Sequence, residues 1–134
     1  MARNGSNDAL RRSTAEVDAV EGLLAYAATL RARAALRQVS RAVAMSRALA
    51  AENPGHTPLL VRALLMEASL HLRRGRPQDA LPPAEESVAL ARKTGGAALA
   101  RSLQSLRTAY EQMNRYAEAA EAAAEAARVA MESD

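Results

Sequence analysis

The sequence predicts an all-α fold built as a stack of helical hairpins, and three observations lead to this prediction. Residues 59–92 coincide with residues 98–131 when the chain is shifted by 39 positions, with eight identical pairs. No segment shows the alternation of apolar and polar residues that is typical of a strand. Proline and glycine clusters divide much of the chain into segments of helix length. The identical pairs are Leu60/Leu99, Arg62/Arg101, Leu64/Leu103, Arg76/Arg115, Ala80/Ala119, Ala84/Ala123, Glu86/Glu125 and Ala91/Ala130.

The composition bounds the core and excludes several classes of protein. The 134 residues suit one domain; 49% are hydrophobic but only 2% aromatic, so alanine, leucine, valine and methionine must form the core. Cysteine is absent, which excludes disulfides, thiolate catalysis and cysteine-ligated zinc. No stretch reaches the roughly 20 apolar residues of a membrane span, and the N-terminus lacks the apolar segment of a secretory signal. We therefore expect a cytoplasmic protein without a membrane segment.

The first part of the chain contains few boundary signals. Residues 1–12 are polar and are predicted to form a flexible terminus, which leaves residues 13–134 as a single folded domain. Ser13 and Glu16 form a capping-box pattern, which predicts that the first helix begins there. The long proline-free segment that follows exceeds one ordinary helix, so we expect a hairpin that turns near residues 34–38.

The middle of the chain carries clear stop and start signals. The sequence Asn-Pro-Gly at residues 53–55 ends the second helix. Thr57 is predicted to be the N-cap of a third helix, with Pro58 at its first position, where the missing N–H has no cost. This helix is predicted to run to about Arg74 and to end at Gly75.

The fourth helix must accommodate two prolines, Pro82 and Pro83. An N-cap at Asp79 would place both in the first turn, where backbone N–H groups have no helical partner. A start at Pro77, with a kink at the proline pair, is the alternative. The fifth and sixth helices are predicted over residues 97–113 and 116–132.

The last hairpin resembles a tetratricopeptide repeat, a family that pairs two antiparallel helices with large apolar residues on the first and small residues on the second. The resemblance implies a right-handed α-solenoid with approximate repeats at residues 14–52, 58–94 and 97–132. Arg107 and Glu67 depart from the family, which has a small residue and leucine at these positions. The residues that carry the resemblance are Leu103, Leu106, Tyr110, the turn Asn114-Arg115-Tyr116, Ala119, Ala123 and Ala126, with Leu64, Ala68, Ala80 and Ala84 in the preceding hairpin.

The resemblance also implies a function. In this family the first helices of successive repeats line a groove that takes an extended peptide or a partner helix, so we expect a non-catalytic adaptor whose arginines select an acidic protein or peptide. The clamp that some members use for a terminal carboxylate is absent here. The alternative is that Arg62 and Arg101 are merely solvated. Carried over by position, the groove residues are Arg62, Leu65, Ser69, Leu72, Arg73, Arg101, Gln104, Thr108, Glu111 and Gln112.

A self-assembling scaffold is the alternative function. Residues 31–76 contain nine arginines against two glutamates, and residues 108–134 contain six acids against two arginines, so a homo-oligomer could form by head-to-tail docking. A third possibility is a regulatory fragment of a larger signalling or transcription-control chain. In the scaffold hypothesis the alanine-rich final helix supplies the contact through Ala120, Ala123, Ala124 and Ala127.

Other chemistry finds little support in the sequence. Arg33, Arg37 and Arg41 follow an i, i+4 rhythm, but no aromatic residue is interleaved for base stacking, so a solvated face is favoured over nucleic-acid binding. His56 and His71 have no partner at the spacing of metal ligands. No nucleophile elbow or phosphate-binding glycine loop occurs. The sequence therefore predicts no catalytic residue, no metal and no cofactor.

Overall fold

The computed structural model describes residues 2–132 of the chain, with side chains from residue 7 onward. Every regular element in this range is helical, which confirms the all-α prediction. A short 3₁₀ helix at Pro54–His56 precedes the third α-helix. No helix within the described range is long and apolar enough to cross a membrane. The α-helices are α1 (Ala2–Ala27), α2 (Ala32–Glu52), α3 (Thr57–Arg73), α4 (Pro77–Ala91), α5 (Gly96–Gln112) and α6 (Tyr116–Glu132).

Each helix packs against the next one in the chain, and α3 also packs against α5. The short turns between consecutive helices make three hairpins, α1–α2, α3–α4 and α5–α6. The contact between α3 and α5 brings the first helices of two successive hairpins side by side. A groove lies along this contact, between α3 and α5.

The beginning of α1 differs from the prediction. The helix starts at Ala2, so residues 2–12 are helical and Ser13 and Glu16 lie in its interior. The capping-box prediction is therefore wrong, because a residue inside a helix has no free helix start to cap. The Oγ of Ser13 instead lies 3.0 Å from Nε2 of His56 and joins α1 to the 3₁₀ helix.

The turn between α1 and α2 lies at residues 28–31, and the prediction of residues 34–38 is wrong. It contains neither glycine nor proline. Backbone hydrogen bonds close it, from Ala28 N–H to Leu24 O at 3.1 Å and from Leu30 N–H to Ala27 O at 3.1 Å. The hydroxyl of Thr29 adds a bond to a backbone carbonyl one turn earlier.

The turns that close α3 and α5 are built alike and follow the 39-residue repeat. Gly75 has a φ of 69° in the first turn, and Asn114, its equivalent, has a φ of 61° in the second. The N–H after each residue returns to the helix, from Arg76 to the carbonyl of His71 at 2.9 Å and from Arg115 to that of Tyr110 at 2.8 Å. Asparagine and glycine are the residues that most readily adopt this left-handed conformation.

The helix α4 begins at Pro77, so the N-cap prediction for Asp79 is wrong and the alternative start is the observed one. Pro82 and Pro83 therefore lie inside the helix. They remove the hydrogen bonds that the carbonyls of Gln78 and Asp79 would accept. Both of those residues are exposed, so water can satisfy the two carbonyls. A smaller shift occurs at α3, where Thr57 is the first helical residue and not the N-cap.

Alanine dominates the core. Twelve of the 25 buried hydrophobic residues in the described part of the chain are alanines. Ala68, Ala80 and Ala84 form one cluster between α3 and α4, and Leu106 of α5 packs against it. All three alanines are fully buried, so an added side chain there would have no free space.

Two ion pairs join the second helices of successive hairpins. Arg47 of α2 pairs with Glu86 of α4, and Arg92, which follows α4, pairs with Glu125 of α6. Glu86 and Glu125 are equivalent in the 39-residue repeat. The repeated glutamate therefore has a structural role, because at both positions its carboxylate forms an ion pair with an arginine of the preceding hairpin.

We predict that Ala84→Leu lowers the free energy of unfolding by about 1–3 kcal/mol, because the added atoms must displace α5. The repeat-equivalent change Ala123→Leu is the matched control, since Ala123 lines an open hollow. We expect that control to change stability by less than about 0.5 kcal/mol. Urea denaturation measures both, and equal losses would contradict the packing of Leu106 on Ala84.

Glu67 of α3 is a partly buried carboxylate that interacts electrostatically with Arg47 of α2 and Glu86 of α4. Burial raises its pKa above the usual value, and nearby Glu86 adds to the rise, while His71 and Arg47 oppose it. The Nδ1 atom of His71 is also buried and accepts or donates no hydrogen bond among the described residues. A raised pKa means that the ionised form of Glu67 costs stability at neutral pH.

We predict that Glu67→Gln stabilises the fold at pH 7 by about 0.5 kcal/mol, or roughly 2 °C in Tm. The stability that protonated Glu67 provides is lost as the pH rises through its raised pKa, so the variant gains most at neutral pH. The difference should vanish below the usual glutamate pKa of about 4.3, where the carboxyl is protonated in both states. Thermal unfolding from pH 3 to 8 tests this, with exposed Glu85→Gln as the control. A constant difference across that range would contradict the burial argument.

Candidate functional site

A groove of about 700 Å³ lies between α3 and α5. Half-buried apolar side chains of α3 contribute to its floor, and polar side chains of both helices line its walls. The lining residues are Arg62, Leu65, Met66, Ser69, Leu72, Arg73, Arg101, Gln104, Ser105, Thr108 and Gln112. We refer to this surface as the groove.

Nine of the ten groove residues predicted from the sequence line this groove, namely Arg62, Leu65, Ser69, Leu72, Arg73, Arg101, Gln104, Thr108 and Gln112. Glu111 is the exception and does not line it. Its carboxylate Oε1 lies 3.5 Å from Nε of Arg107, one turn earlier on the side of α5 that faces away from α3. Sequence reasoning missed Met66 and Ser105. The helical period could have placed Met66 on the face of Arg62 and Ser69, and Ser105 on the face of Arg101 and Thr108, because residues three and four apart share a face.

Arg62 is engaged within the fold. Its two terminal nitrogens donate to the two carboxylate oxygens of Glu21 on α1, at 2.6 and 2.9 Å. These hydrogen bonds lower the pKa of Glu21 and raise that of Arg62. The pair is half exposed, so it contributes only about 0.2–1 kcal/mol to stability. Its main consequence is to hold Arg62 in one orientation at the edge of the groove.

Arg101 occupies the equivalent position one repeat later but has no such partner. The residue 39 positions after Glu21 is Leu60, which is buried and uncharged. The side chain of Arg101 makes no ion pair or hydrogen bond with the described residues, and neither does the side chain of Arg73. None of the lining residues is acidic. The groove therefore has a positive charge that the described part of the fold leaves uncompensated at Arg73 and Arg101.

Glu21 could not have been found from the sequence. The pairing with Arg62 depends on the register of α1 against α3, and that register depends on a turn that carries no glycine or proline signal. The 39-residue repeat does not reveal this ion pair either, because the residue equivalent to Glu21 is Leu60.

A second concave surface lies on the outer side of α5 and α6, and we refer to it as the end face. It is a hollow of about 400 Å³ lined by six residues. Arg107, Ala119 and Ala123 are the repeat equivalents of Ala68, Ala80 and Ala84, the cluster against which Leu106 packs. Glu111 is the equivalent of Leu72, which also packs against that cluster. The six residues are Arg107, Glu111, Tyr116, Ala119, Ala120 and Ala123.

The alanines proposed for self-association divide between two environments on α6. Ala120 and Ala123 line the end face. Ala124 and Ala127 are exposed beside it, at helical spacing from Ala120 and Ala123. Met131 continues this side of the helix and is 78% exposed.

The remaining candidates carry no assembled site. Arg33, Arg37 and Arg41 are exposed along α2. His56 bonds Ser13, and His71 is partly buried on α3 one turn after Glu67, with which it interacts electrostatically. Within the described residues, no three acidic or imidazole side chains come together as a metal site would require.

Comparison with known families gives no further assignment. No family model matches this chain, and neither the curated proteins nor the solved structures that were compared contain a match.

Proposed function

We propose that this chain is a non-catalytic cytoplasmic adaptor that captures an acidic peptide or helix in the groove. The architecture proposed with it is the tetratricopeptide-like one, a right-handed stack of three hairpins in which the first helices line the binding surface. The observation that carries the proposal is the combination of free arginines with an acid-free groove. Arg73 and Arg101 offer donors, and Leu65, Met66 and Leu72 offer apolar contact.

The charge pattern supports an acidic occupant. Hydrogen bonds between guanidinium groups and carboxylates are among the strong ones in proteins, worth about 1.5–3 kcal/mol each. The groove lies between two helices of 17 residues each, about 25 Å long at 1.5 Å per residue. That length accommodates about seven residues of an extended peptide, or a short helix.

Arg101 is the best position for a test. A charge reversal at Arg62 would also place two carboxylates together on α1 and α3, which mixes binding with stability. Arg101→Glu changes only a side chain without an internal partner among the described residues. Arg37→Glu is the matched control, because Arg37 is exposed on α2 and lies outside the groove.

We predict that 12-residue peptides selected from a random display library on the wild-type protein carry net negative charge. Their affinity should fall about tenfold or more for Arg101→Glu, as expected from the loss of one charge-assisted bond of about 1.4 kcal/mol or more. It should stay within about twofold for Arg37→Glu. Fluorescence anisotropy at low and high salt measures both, and salt should weaken binding. Peptides without acidic bias, or equal losses for both variants, would reject the groove as the binding surface.

Self-assembly is the second candidate, because the outer side of α6 exposes apolar residues with no cover in the described chain. Tyr116 is 65% exposed and Met131 78%, and Ala120, Ala124 and Ala127 lie on the same side. In this candidate a second copy covers α6.

This second candidate predicts a mass that rises above 14.2 kDa with protein concentration. Ala124→Glu should return the mass to that of the monomer, because a carboxylate would then be desolvated in the contact. Ala89→Glu, on the exposed side of α4, should leave association unchanged. Light scattering across concentration and salt measures the mass. A wild-type mass of 14.2 kDa at every concentration would exclude self-assembly.

A further inference from the structure

A small apolar pocket lies at one end of the groove and shares Arg62, Leu65 and Arg101 with it. It measures about 190 Å³, below the roughly 300–1,000 Å³ of sites for whole small-molecule ligands. Most of its wall is aliphatic, from Val61, Leu65, Leu90 and other residues of α3, α4 and α5. The volume is suited to one side chain.

The two arginines differ in what they can offer at this pocket. Arg62 already donates to both oxygens of Glu21, so its strongest donors are occupied. Arg101 has no internal acidic partner among the described residues and lies between the pocket and the rest of the groove. An aliphatic group in the pocket would therefore place a neighbouring carboxylate within reach of a free guanidinium.

We propose that this pocket anchors a leucine-sized aliphatic side chain of an acidic peptide and that Arg101 binds the carboxylate of an adjacent aspartate or glutamate. The assignment rests on the proposed function of the groove and specifies the sequence that the groove reads. Burial of the aliphatic group supplies affinity, and the carboxylate fixes the direction and position of the peptide.

Side-chain carboxylates suit the groove better than a chain terminus. Arg73 lies 11 residues beyond Arg62 on α3, about 16 Å along the helix axis. A peptide has one terminal carboxylate, but free arginines lie at two separate places, Arg101 and Arg73. At least one of them must be met by a side chain, and an acidic peptide that follows the groove can satisfy both.

Four capped tripeptides separate the contributions without knowledge of the natural partner. Acetyl-Glu-Leu-Glu-amide carries both features, acetyl-Gln-Leu-Gln-amide lacks the charge, and acetyl-Glu-Ala-Glu-amide lacks the aliphatic group. Acetyl-Gln-Gln-Leu with a free carboxyl end tests the terminal carboxylate. Binding is followed by NMR shifts of the methyl groups of Val61, Leu65 and Leu90 during titration of the full chain.

We expect the Glu-Leu-Glu peptide to bind in the millimolar range, as suits a fragment of this size, and the two peptides that lack one feature to bind at least about fivefold more weakly. Arg101→Gln should lower the affinity for the Glu-Leu-Glu peptide to that for the Gln-Leu-Gln peptide. The affinity for the Gln-Leu-Gln peptide itself should not change. Ala98→Leu should fill the pocket and abolish binding of both the Glu-Leu-Glu and the Gln-Leu-Gln peptide. Ala97→Leu, at an exposed neighbouring position, is the control, and thermal unfolding verifies that each variant is folded.

Several results would overturn the anchor. Equal binding of the Leu and Ala peptides, equal binding of the Glu and Gln peptides, or tighter binding of the peptide with the free carboxyl end would each contradict it. If one of these results occurred while the library peptides still lost affinity in the Arg101→Glu variant, the groove would be kept as the binding surface. The proposal that the pocket anchors an aliphatic side chain would then be rejected. If the library gave no acidic peptides and none of the tripeptides bound, both the proposed function and the anchor would fall.

Discussion

This structure depends on one constraint: neighbouring helices must pack closely at their alanine residues. With about half of the buried hydrophobic side chains ending at Cβ, the core is filled only where backbones approach one another. Polar groups in such a core must be satisfied without cross-helix partners. Ser46, Ser87 and Ser102 are fully buried, and each hydroxyl donates to a carbonyl of its own helix. Larger residues are confined to places where a neighbour offers space, as the alanine cluster of α3 and α4 does for Leu106.

The same repeated residues acquire different roles because their neighbours differ. Glu86 and Glu125 each accept an arginine from the preceding hairpin and join the second helices of the fold. Arg62 and Arg101 are equally well matched in sequence, yet only Arg62 finds a carboxylate, because α1 supplies Glu21 and α3 supplies Leu60 at the corresponding position. The fold therefore uses Arg62 to join α1 to α3. The side chain of Arg101 has no partner among the described residues.

The hairpins from residue 57 onward could be predicted because proline, glycine and asparagine mark their turns. Gly75 and Asn114 occupy equivalent positions, and the resemblance to tetratricopeptide repeats predicted nine of the residues that line the groove between α3 and α5. The turn at residues 28–31 could not be predicted, since it is closed by backbone bonds that many sequences can make. The misassignment of Glu111 has a different cause. Helical spacing alone does not decide which side of α5 position 111 faces, and Glu111 lines the end face together with Arg107.

The cost of desolvation on binding differs between the two candidate surfaces, the groove and the end face. An occupant of the end face would cover Arg107 and Glu111, whose Nε–Oε1 distance of 3.5 Å is too long for a good hydrogen bond. The Nε of Arg107 is already buried without a hydrogen-bond partner among the described residues. Further burial would add the cost of dehydrating an imperfectly matched ion pair. An acidic peptide in the groove would bring its own carboxylates to Arg101 and Arg73, so each charge that loses water gains a partner. The end face carries the charged residues Arg107 and Glu111 at the positions where the preceding hairpin carries Ala68 and Leu72. This difference favours the groove over the end face as a binding surface.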